Sequence, residues 1–283
     1  MANNQEQFNL FHVAINSTKR DTLKKNRDAI RDKITNYFKK ELSDEIAPIF
    51  REQGSYAMFT ILNPIKDDSG LGAYDLDDGV VFQGKKKDDR KSINWYHEKI
   101  SAAVDDHTDQ DPIQELTEWF FCQCKNKSML RRLVRYLKAW CEYISSDKGF
   151  KMPSGCILTM LAAKHYKDND EQREDITLSK MLASMYDSLS VEGQFKCPRP
   201  TFPNGEDLFK GYSETRKNDF LRELKSFKED AERAVNCTNQ KVACEKWQKH
   251  FGPRFPCSTA KDEDEDAHQK GFAGSINNNS QFA

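Results

Sequence analysis

The sequence lacks three features that would each have indicated a class of protein. Charge of either sign is not in excess, because 44 lysines and arginines face 45 aspartates and glutamates and leave a formal net charge of −1. A global basic field for nucleic acid is therefore missing. No apolar run approaches the ~20 residues that span a bilayer. The first six residues lack the apolar core of a signal peptide, and we expect a cytoplasmic protein with no membrane segment.

Cysteine is not scarce, but its eight positions are scattered. In a chain without a secretion signal we expect reduced thiols. Cys237, Cys244, His250 and Cys257 could in principle gather at a zinc ion. Their gaps of seven, six and seven residues match no closed zinc site that we can justify. We favour an ordinary structural role for these four side chains.

Most of the chain has the period of amphipathic helices. The longest is expected to begin at an N-cap in Ser17-Thr18 and to run to about residue 41. A shorter helix is expected over Tyr56–Leu62. Further helices are expected near residues 5–15, from Ser92, from Pro112, over Lys127–Ser145, from Pro153, and over Ile176–Leu189, Ser213–Val235 and Lys241–Phe251. The acidic, asparagine-rich composition from Ser258 onward predicts a disordered tail.

One predicted strand, Tyr74–Phe82, carries the most informative side chains. A period of two places Asp75 and Asp77 on one face, about 7 Å apart. Two carboxylates so close repel each other unless a cation lies between them, and hard oxygen ligands suit Mg²⁺. The small-residue turn Gly54-Ser55, upstream, could direct backbone N–H groups at a phosphate. The ordinary interpretation of Asp-Asp-Gly is a hairpin turn, but the two motifs in this order favour nucleotide chemistry.

These residues resemble those of the bacterial cGAS/DncV-like nucleotidyltransferases, within the polymerase-beta-like superfamily. The resemblance covers most of residues 8–257, and the Asp-hydrophobic-Asp-Asp-Gly form is similar to that of the dinucleotide-cyclase branch. The motifs that carry it, in order, are Gln53-Gly54-Ser55, Leu62-Asn63-Pro64, Tyr74-Asp75-Leu76-Asp77-Asp78-Gly79, Asp111-Pro112 to Trp119-Phe120, Arg131 to Trp140, Met152-Pro153-Ser154-Gly155 and Phe251-Gly252-Pro253-Arg254.

The resemblance implies an α+β fold, a bilobal polymerase-beta-like nucleotidyltransferase with a small mixed sheet and a helical C-terminal lobe. The expected division is a nucleotidyltransferase core with a spine helix over residues 1–111, a helical lobe over 112–257, and the tail over 258–283. Such proteins join ATP, GTP or other nucleoside triphosphates into cyclic di- or trinucleotides that activate an anti-phage effector.

The resemblance also implies a role for each site residue. Gln53, Gly54 and Ser55 would bind the nucleotide, with Gly54 and Ser55 on the triphosphate. Asp75 and Asp77 would be catalytic and would hold two Mg²⁺ ions. The helical lobe would reach the donor phosphates through Lys138 and Ser154.

The residues themselves are compatible with these helical-lobe roles. Lys138 lies on the basic side of a predicted helix, and Ser154 falls in the first turn of another. Without the resemblance we would take them for a surface lysine and a helix cap. The basic ridge of Arg131, Arg132 and Arg135 is ordinarily a solvated helix face, although it could border a nucleotide pocket.

The sequence departs from the family pattern at the third catalytic carboxylate, which a later strand should supply. Asp111 lies only 32 positions after Gly79, and no aspartate in this interval is flanked by strand-forming residues. Three explanations are open. The sequence could omit residues of the natural chain between Thr108 and Asp111, it could carry an engineered deletion, or the protein could have lost its activity naturally. We favour the first, because a sheet that lacks its central strands should fold poorly.

Two other functions stay open. A catalytically inactive nucleotide-binding or interaction protein of the same fold is favoured if the third carboxylate is truly missing. A linear RNA-tailing transferase is disfavoured by the lack of an extended basic surface. The small terminal residue Ala283, on a flexible tail, would also suit covalent conjugation of the C-terminus to a partner protein by a ubiquitin-like transfer system, as in some relatives.

Overall fold

A computed structural model describes residues 1–11, 14–63, 74, 76–83, 90–104, 114–169, 171–201 and 205–263. None of the helices in those ranges is both long enough and apolar enough to cross a bilayer. The elements, in chain order, are α1 (Gln5–Leu10), α2 (Ser17–Glu41), β1 (Ile49–Glu52), α3 (Gly54–Ala57), β2 (Asp78–Val81), α4 (Ile93–Ala103), α5 (Gln114–Lys125), α6 (Leu130–Lys148), α7 (Gly155–His165), α8 (Glu174–Leu189), α9 (Glu214–Asn236), α10 (Gln240–Phe251) and a short 3-10 helix (Cys257–Thr259).

Contacts divide the chain into two compact units. The strand unit comprises Ala14–Lys125 and Pro200–Phe202, and the helical unit comprises Met1–Val13, Asn126–Arg199 and Pro203–Ala283. The helical unit therefore takes in the N-terminal segment as well as the later helices. The division of the chain into residues 1–111, 112–257 and 258–283 stays a prediction.

The strand unit is built on α2, which has the predicted length but a different cap. The side chain of Asn16 accepts a hydrogen bond from the Lys19 amide at 2.9 Å, so the helix begins one residue earlier than a Ser17-Thr18 cap would place it. Ile34 and Phe38 on its apolar stripe are buried in a cluster that includes Val104. This packing fixes one face of α2 and leaves its arginines near the strands.

The described sheet has two strands, and they are antiparallel. Ile49 pairs with Val81 at one end of the ladder and Glu52 with Asp78 at the other. The predicted sheet is present, but within the described residues it is antiparallel and not mixed. The predicted strand over 74–82 was too long, because the ladder begins only at Asp78. Sequence reasoning missed β1, whose four residues show no clear alternation of polar and apolar side chains.

The helix predicted over Tyr56–Leu62 is also wrong in its extent. Helix α3 ends at Ala57, because Phe59 adopts a left-handed backbone with φ of 59°. The chain then extends, and Leu62 forms an isolated antiparallel bridge with Ala14. A single turn of helix therefore follows β1.

Aromatic side chains form the core of the helical unit. Phe8 of α1 contacts Tyr136, Trp247 and Phe255, with ring centroids 5.0–5.2 Å apart. Such edge-on aromatic contacts add to the free energy that burial alone provides. The N-terminal segment is therefore part of this core, although the sequence assigns it to the other lobe.

Buried polar bonds hold the same N-terminal segment in place. Arg173 donates to the carbonyl of Ala2 at 2.7 Å and is paired with the buried carboxylate of Asp175 at 2.6 Å. Asp175 also accepts the amide of Asn4 at 3.3 Å. Because an unpaired charge would be costly inside a protein, these bonds tie the segment to α8.

The expectation that every cysteine is a free thiol was wrong. Cys244 of α10 is bonded to Cys257, with Cα atoms 5.6 Å apart. The chain reverses at Gly252, which has φ of 75°, and this turn returns Cys257 to α10. The cysteine spacing alone could not show that reversal. Since Cys244 and Cys257 are bonded to each other, the disfavoured zinc site is not formed.

The disorder predicted from Ser258 onward is wrong for residues 258–263. The carbonyl of Lys261 accepts the amide of Lys241 at 2.9 Å, and Asp262 accepts from the side chain of Asn239 at 2.8 Å. Residues 258–263 therefore cap the start of α10. The remainder, 264–283, lies outside the described residues.

Candidate active site

Gly54 and Asp77 are in close contact at the end of the β1–β2 ladder. Gly54 follows β1 with φ of 63°, and a Cβ atom built on it would lie 1.7 Å from Oδ2 of Asp77. Only glycine satisfies both conditions, since other residues rarely adopt this backbone and all carry a Cβ. Two of the predicted site residues, 23 positions apart in the sequence, are thus brought together.

Gln53 and Ser55 flank that glycine. Gln53 is 2% exposed, and its Oε1 lies 3.3 Å from the position of a Cβ on Gly79. Ser55 lies in α3, whose first-turn amides have no partner within the helix. The predicted Gln-Gly-Ser turn therefore lies against the entry to β2, next to the carboxylate of Asp77.

Of the two aspartates predicted to bind metal, the structure describes only Asp77. Asp75 lies outside the described residues, and the next aspartate, Asp78, is turned to α2, where Arg31 binds it. Among the residues that are described, no three His, Cys, Asp or Glu side chains gather as a metal site. The donor that is described fits Mg²⁺ in kind, because a carboxylate in a space kept open by glycine offers the hard oxygen this ion prefers.

Two arginines of α2 compensate the acidic end of the ladder. Arg31 donates to Asp78 through Nε at 2.6 Å and through Nη2 at 2.5 Å. Arg27, 5% exposed, donates to Glu52 and to Asp28. Burial lowers the pKa of the Arg27 guanidinium, but these bonds outweigh it and the net shift is upward. Arg27 therefore stays charged.

In the helical unit, Ser154 lies at the start of α7 and Lys138 packs on the next residue, Gly155. Ser154 is its N-cap, and its hydroxyl accepts the Ile157 amide at 3.5 Å. Ser154 therefore precedes the helix. The sequence-based prediction that Ser154 lies in the first turn is wrong by one position. A Cβ on Gly155 would lie 2.8 Å from Cε and 3.3 Å from Nζ of Lys138. The lysine thus packs on the first residue of α7, where the helix dipole is positive.

The basic ridge of α6 is not a uniform solvated face. Arg132 forms an ion pair with the buried Glu174 at 2.9 Å, while 37% of its own side chain stays exposed. Burial is the main cause that lowers the pKa of the Arg135 guanidinium. Such a partly desolvated cation attracts an anion more strongly than a fully hydrated one does.

Sequence reasoning missed three contributors to this geometry. Arg27 and Arg31 are separated by four residues in α2, a spacing that places both on one face, but nothing in it identified their partners. Gly155 was noted only as part of a motif. The sequence pattern that could have identified Gly155 is a glycine directly after a serine N-cap. The structure gives the reason for this glycine, because a β-carbon there would displace Lys138.

Comparison with known proteins matches one segment of the chain to a family. Residues 48–126 match the family described as "Cyclic GMP-AMP synthase DncV-like, nucleotidyltransferase domain". That range contains β1, the Gln-Gly-Ser turn, β2 and both aspartates of the predicted metal pair.

Solved structures match most of the chain. The Vibrio cholerae DncV cyclic AMP-GMP synthase, described as a prokaryotic cGAS homolog, aligns with a TM-score of 0.70 at 14% identity, covering 90% of this chain and 98% of the other. Its complex with nonhydrolyzable GTP aligns at 0.70 and 14%, covering 86% and 92%. CdnC of E. coli MS115-1 with ATP aligns at 0.60 and 12%, covering 89% and 98%. Residues 48–126 therefore match a DncV-like nucleotidyltransferase domain, and the chain shares the fold of these solved structures.

Proposed function

We propose that this protein joins nucleoside triphosphates into a cyclic di- or trinucleotide. A ribose hydroxyl attacks the α-phosphate of a nucleoside triphosphate, pyrophosphate leaves, and a second such transfer or a third closes the ring. The observation that carries the proposal is the carboxylate of Asp77 against Gly54, inside the segment that matches the nucleotidyltransferase domain. Phosphoryl transfer depends mainly on positioning and charge stabilisation, which such a turn and carboxylate can provide.

In the strand unit, the turn would bind the triphosphate and the aspartates would bind metal. Gly54 and Ser55 offer backbone and hydroxyl donors to the phosphates, beside Gln53. Asp75 and Asp77 would hold two Mg²⁺ ions. Bound metal would neutralise charge on the triphosphate and on the attacking oxygen.

In the helical unit, Lys138 and Ser154 would bind donor phosphates. The ammonium of Lys138 packs on Gly155, at an α-helix N-terminus that favours anions. Ser154 caps that helix and has a hydroxyl proton to donate. A compact, strongly hydrated ammonium is a common point-charge partner for phosphate.

The substrates we propose are ATP and, with it, GTP. The solved structures of similar fold hold a GTP analogue in DncV and ATP in CdnC, which supports this choice. We further propose that the protein acts in the cytoplasm, and that its product activates a downstream effector against phage. Conjugation of the C-terminus to a partner protein remains a proposal drawn from the sequence of the tail.

A second candidate is a nucleotide-binding protein of this fold without catalysis. It is favoured by one observation: the sequence offers no third carboxylate in a strand-forming setting between Gly79 and Asp111. Two carboxylates can hold metal, but the third normally activates the attacking hydroxyl. Binding without turnover would then be the whole activity.

One experiment separates these candidates. The protein is incubated with labelled ATP and GTP in Mg²⁺ or Mn²⁺, and phosphatase-resistant product is measured beside nucleotide binding. We expect such product from the unaltered chain and none from Asp75→Ala/Asp77→Ala, with the fold retained. Asp32→Ala, which removes an exposed carboxylate of α2, is the control and should stay active. Product from the double variant contradicts the proposal, and binding without product from the unaltered chain supports the second candidate.

A further inference from the structure

The two carboxylates at the end of the ladder face each other. Glu52 of β1 and Asp78 of β2 are register partners, and like charges directly opposite on a sheet repel. Arg27 and Arg31, one helical turn apart on α2, each bind one of them. The repulsion is therefore balanced by α2 at the point where the ladder leads into Gln53 and Asp77.

The Arg31–Asp78 pair restrains direction as well as charge. Two donors of one guanidinium meet the two oxygens of one carboxylate, at 2.6 and 2.5 Å. Such a planar fork fixes orientation, which a lysine in the same place would not do. The side chains of Arg31 and Asp78 are 21% and 18% exposed, so water competes only in part for these bonds.

Asp78 and its neighbour Asp77 have different contacts at the entry to β2. Asp78, the first residue of the strand, is held next to α2 by Arg31. Asp77 directly precedes the strand, and its carboxylate lies against Gly54. If Asp78 were released, rotation of the backbone at the entry to β2 would carry Asp77 with it.

We propose that Arg31 is a positioning residue for Asp77: its fork on Asp78 holds the Asp77 carboxylate in the orientation that binds metal and nucleotide. This inference rests on the proposed function. Arg31 lies 47 positions before Asp78 in the sequence, so the sequence alone does not suggest that α2 takes part in the reaction.

The test measures metal binding apart from turnover. Mn²⁺ binding is followed by electron paramagnetic resonance in the presence of a nonhydrolysable ATP analogue, and the contribution of Asp77 is defined by subtracting Asp77→Asn. We expect Arg31→Gln to weaken this binding by about 10–100-fold, as loss of groups that orient metal ligands generally does. The Mn²⁺ affinity of Arg31→Lys should lie between those of Arg31→Gln and the unaltered protein, because lysine keeps the positive charge but cannot form the two-donor contact with Asp78. Lys33→Gln, an exposed lysine of α2, removes the same charge and should bind as the unaltered protein does.

A double variant separates positioning from stability. Arg31→Gln leaves Asp78 without its partner, so thermal stability also falls. Arg31→Met with Asp78→Val removes both charges and should regain thermal stability without regaining Mn²⁺ affinity. Recovery of both would overturn the inference, as would Mn²⁺ affinity in Arg31→Gln equal to that in Lys33→Gln.

The same measurements separate this inference from the proposed function. If Mn²⁺ binds through Asp77, weakens in Arg31→Gln and yet no product forms, the positioning role stands and catalysis does not. If product forms and Arg31→Gln changes neither Mn²⁺ affinity nor kcat, catalysis stands and the positioning role falls. If no Mn²⁺ binding depends on Asp77, both are overturned.

Discussion

Replacement of Gly54 by alanine is the sharpest test of the site geometry. The new methyl group would lie 1.7 Å from Oδ2 of Asp77, 2.5 Å from its Cγ and 2.8 Å from its Cβ. Rotation of the Asp77 side chain could move the carboxylate but not the Cβ atom, which is fixed by the backbone. The backbone of one of the two residues must therefore shift.

The size of the effect follows from two contributions. A non-glycine residue in the left-handed region costs about 1–2 kcal/mol, which in a domain of this size corresponds to a fall in Tm of roughly 2–8 °C. Displacement of a catalytic group by about 1 Å can lower the rate about 100-fold. We expect Gly54→Ala to lose little stability and most of its activity.

Two other glycines provide matched controls. Gly149 caps the end of α6 with φ of 72°. Among the described residues, no atom beyond its neighbours lies within 4 Å of a Cβ built on it, so Gly149→Ala carries the backbone cost alone. Gly252 has φ of 75°, and a methyl group there would lie 2.5 Å from the ring of Tyr143. Gly252→Ala therefore combines strain and a clash away from the site. Both controls should lose Tm and keep their rate of nucleotide transfer per folded molecule.

The assay pairs thermal unfolding with initial rates at saturating nucleoside triphosphate and Mg²⁺. The reasoning fails if Gly54→Ala transfers nucleotide as fast as Gly149→Ala. It also fails if the rate lost in Gly54→Ala is fully explained by its unfolded fraction, because the clash with Asp77 would then have no effect on the site.

Two further predictions concern the helical unit. Burial lowers the pKa of His250 to about 4, although the hydrogen bond to Asp230 opposes this shift. Between about pH 6.5 and 4, only the unfolded chain takes up a proton at this histidine. The free energy of unfolding should therefore be full above pH 6.5 and fall by up to about 3 kcal/mol as pH drops through this range. Denaturant titrations at several pH values should show that the free energy of unfolding of His250→Gln falls less steeply with decreasing pH. The part of the decline that is due to His165, whose pKa is similarly lowered, should remain. A decline as steep as that of the unaltered protein would contradict the prediction. Reduction of the Cys244–Cys257 bond, which closes a loop with a sequence separation of 13, should cost about 3 kcal/mol. Thermal scans with and without dithiothreitol would show it, and a Tm that does not respond to reductant would count against this stabilising role.

The helices were largely predictable because their signals are local. The apolar stripe of α2, the serine caps at Ser92 and Ser213 and the patterns of α6 and α8–α10 lie within single segments, and helix formation depends mainly on contacts three and four residues away. Errors concentrate where local signals are weak. Strand β1 has only four residues, and the helix expected over Tyr56–Leu62 stops early at the left-handed Phe59.

The chemistry that we propose for the site follows from residue types, whereas their arrangement does not. The residue types Gly-Ser and Asp-x-Asp indicated phosphate and metal before any contact was known. Which aspartate faces the turn was decided by pairing. Asp77 precedes the ladder and meets Gly54, whereas Asp78 begins it and meets Arg31. No local pattern distinguishes these two neighbours, because the choice depends on the register of β1 against β2.

By itself, then, the sequence determined most of the helices and indicated the resemblance to a family and the residue types of the proposed nucleotide site, since each depends on neighbours along the chain or on short motifs. Only the tertiary structure decided that Gly54 must be glycine because of Asp77, that Arg31 binds Asp78, and that Cys244 is bonded to Cys257. Each of these joins residues 13 to 47 positions apart. Their proximity arises from strand pairing, from the packing of α2 and from a turn at Gly252, which act together only in the folded chain.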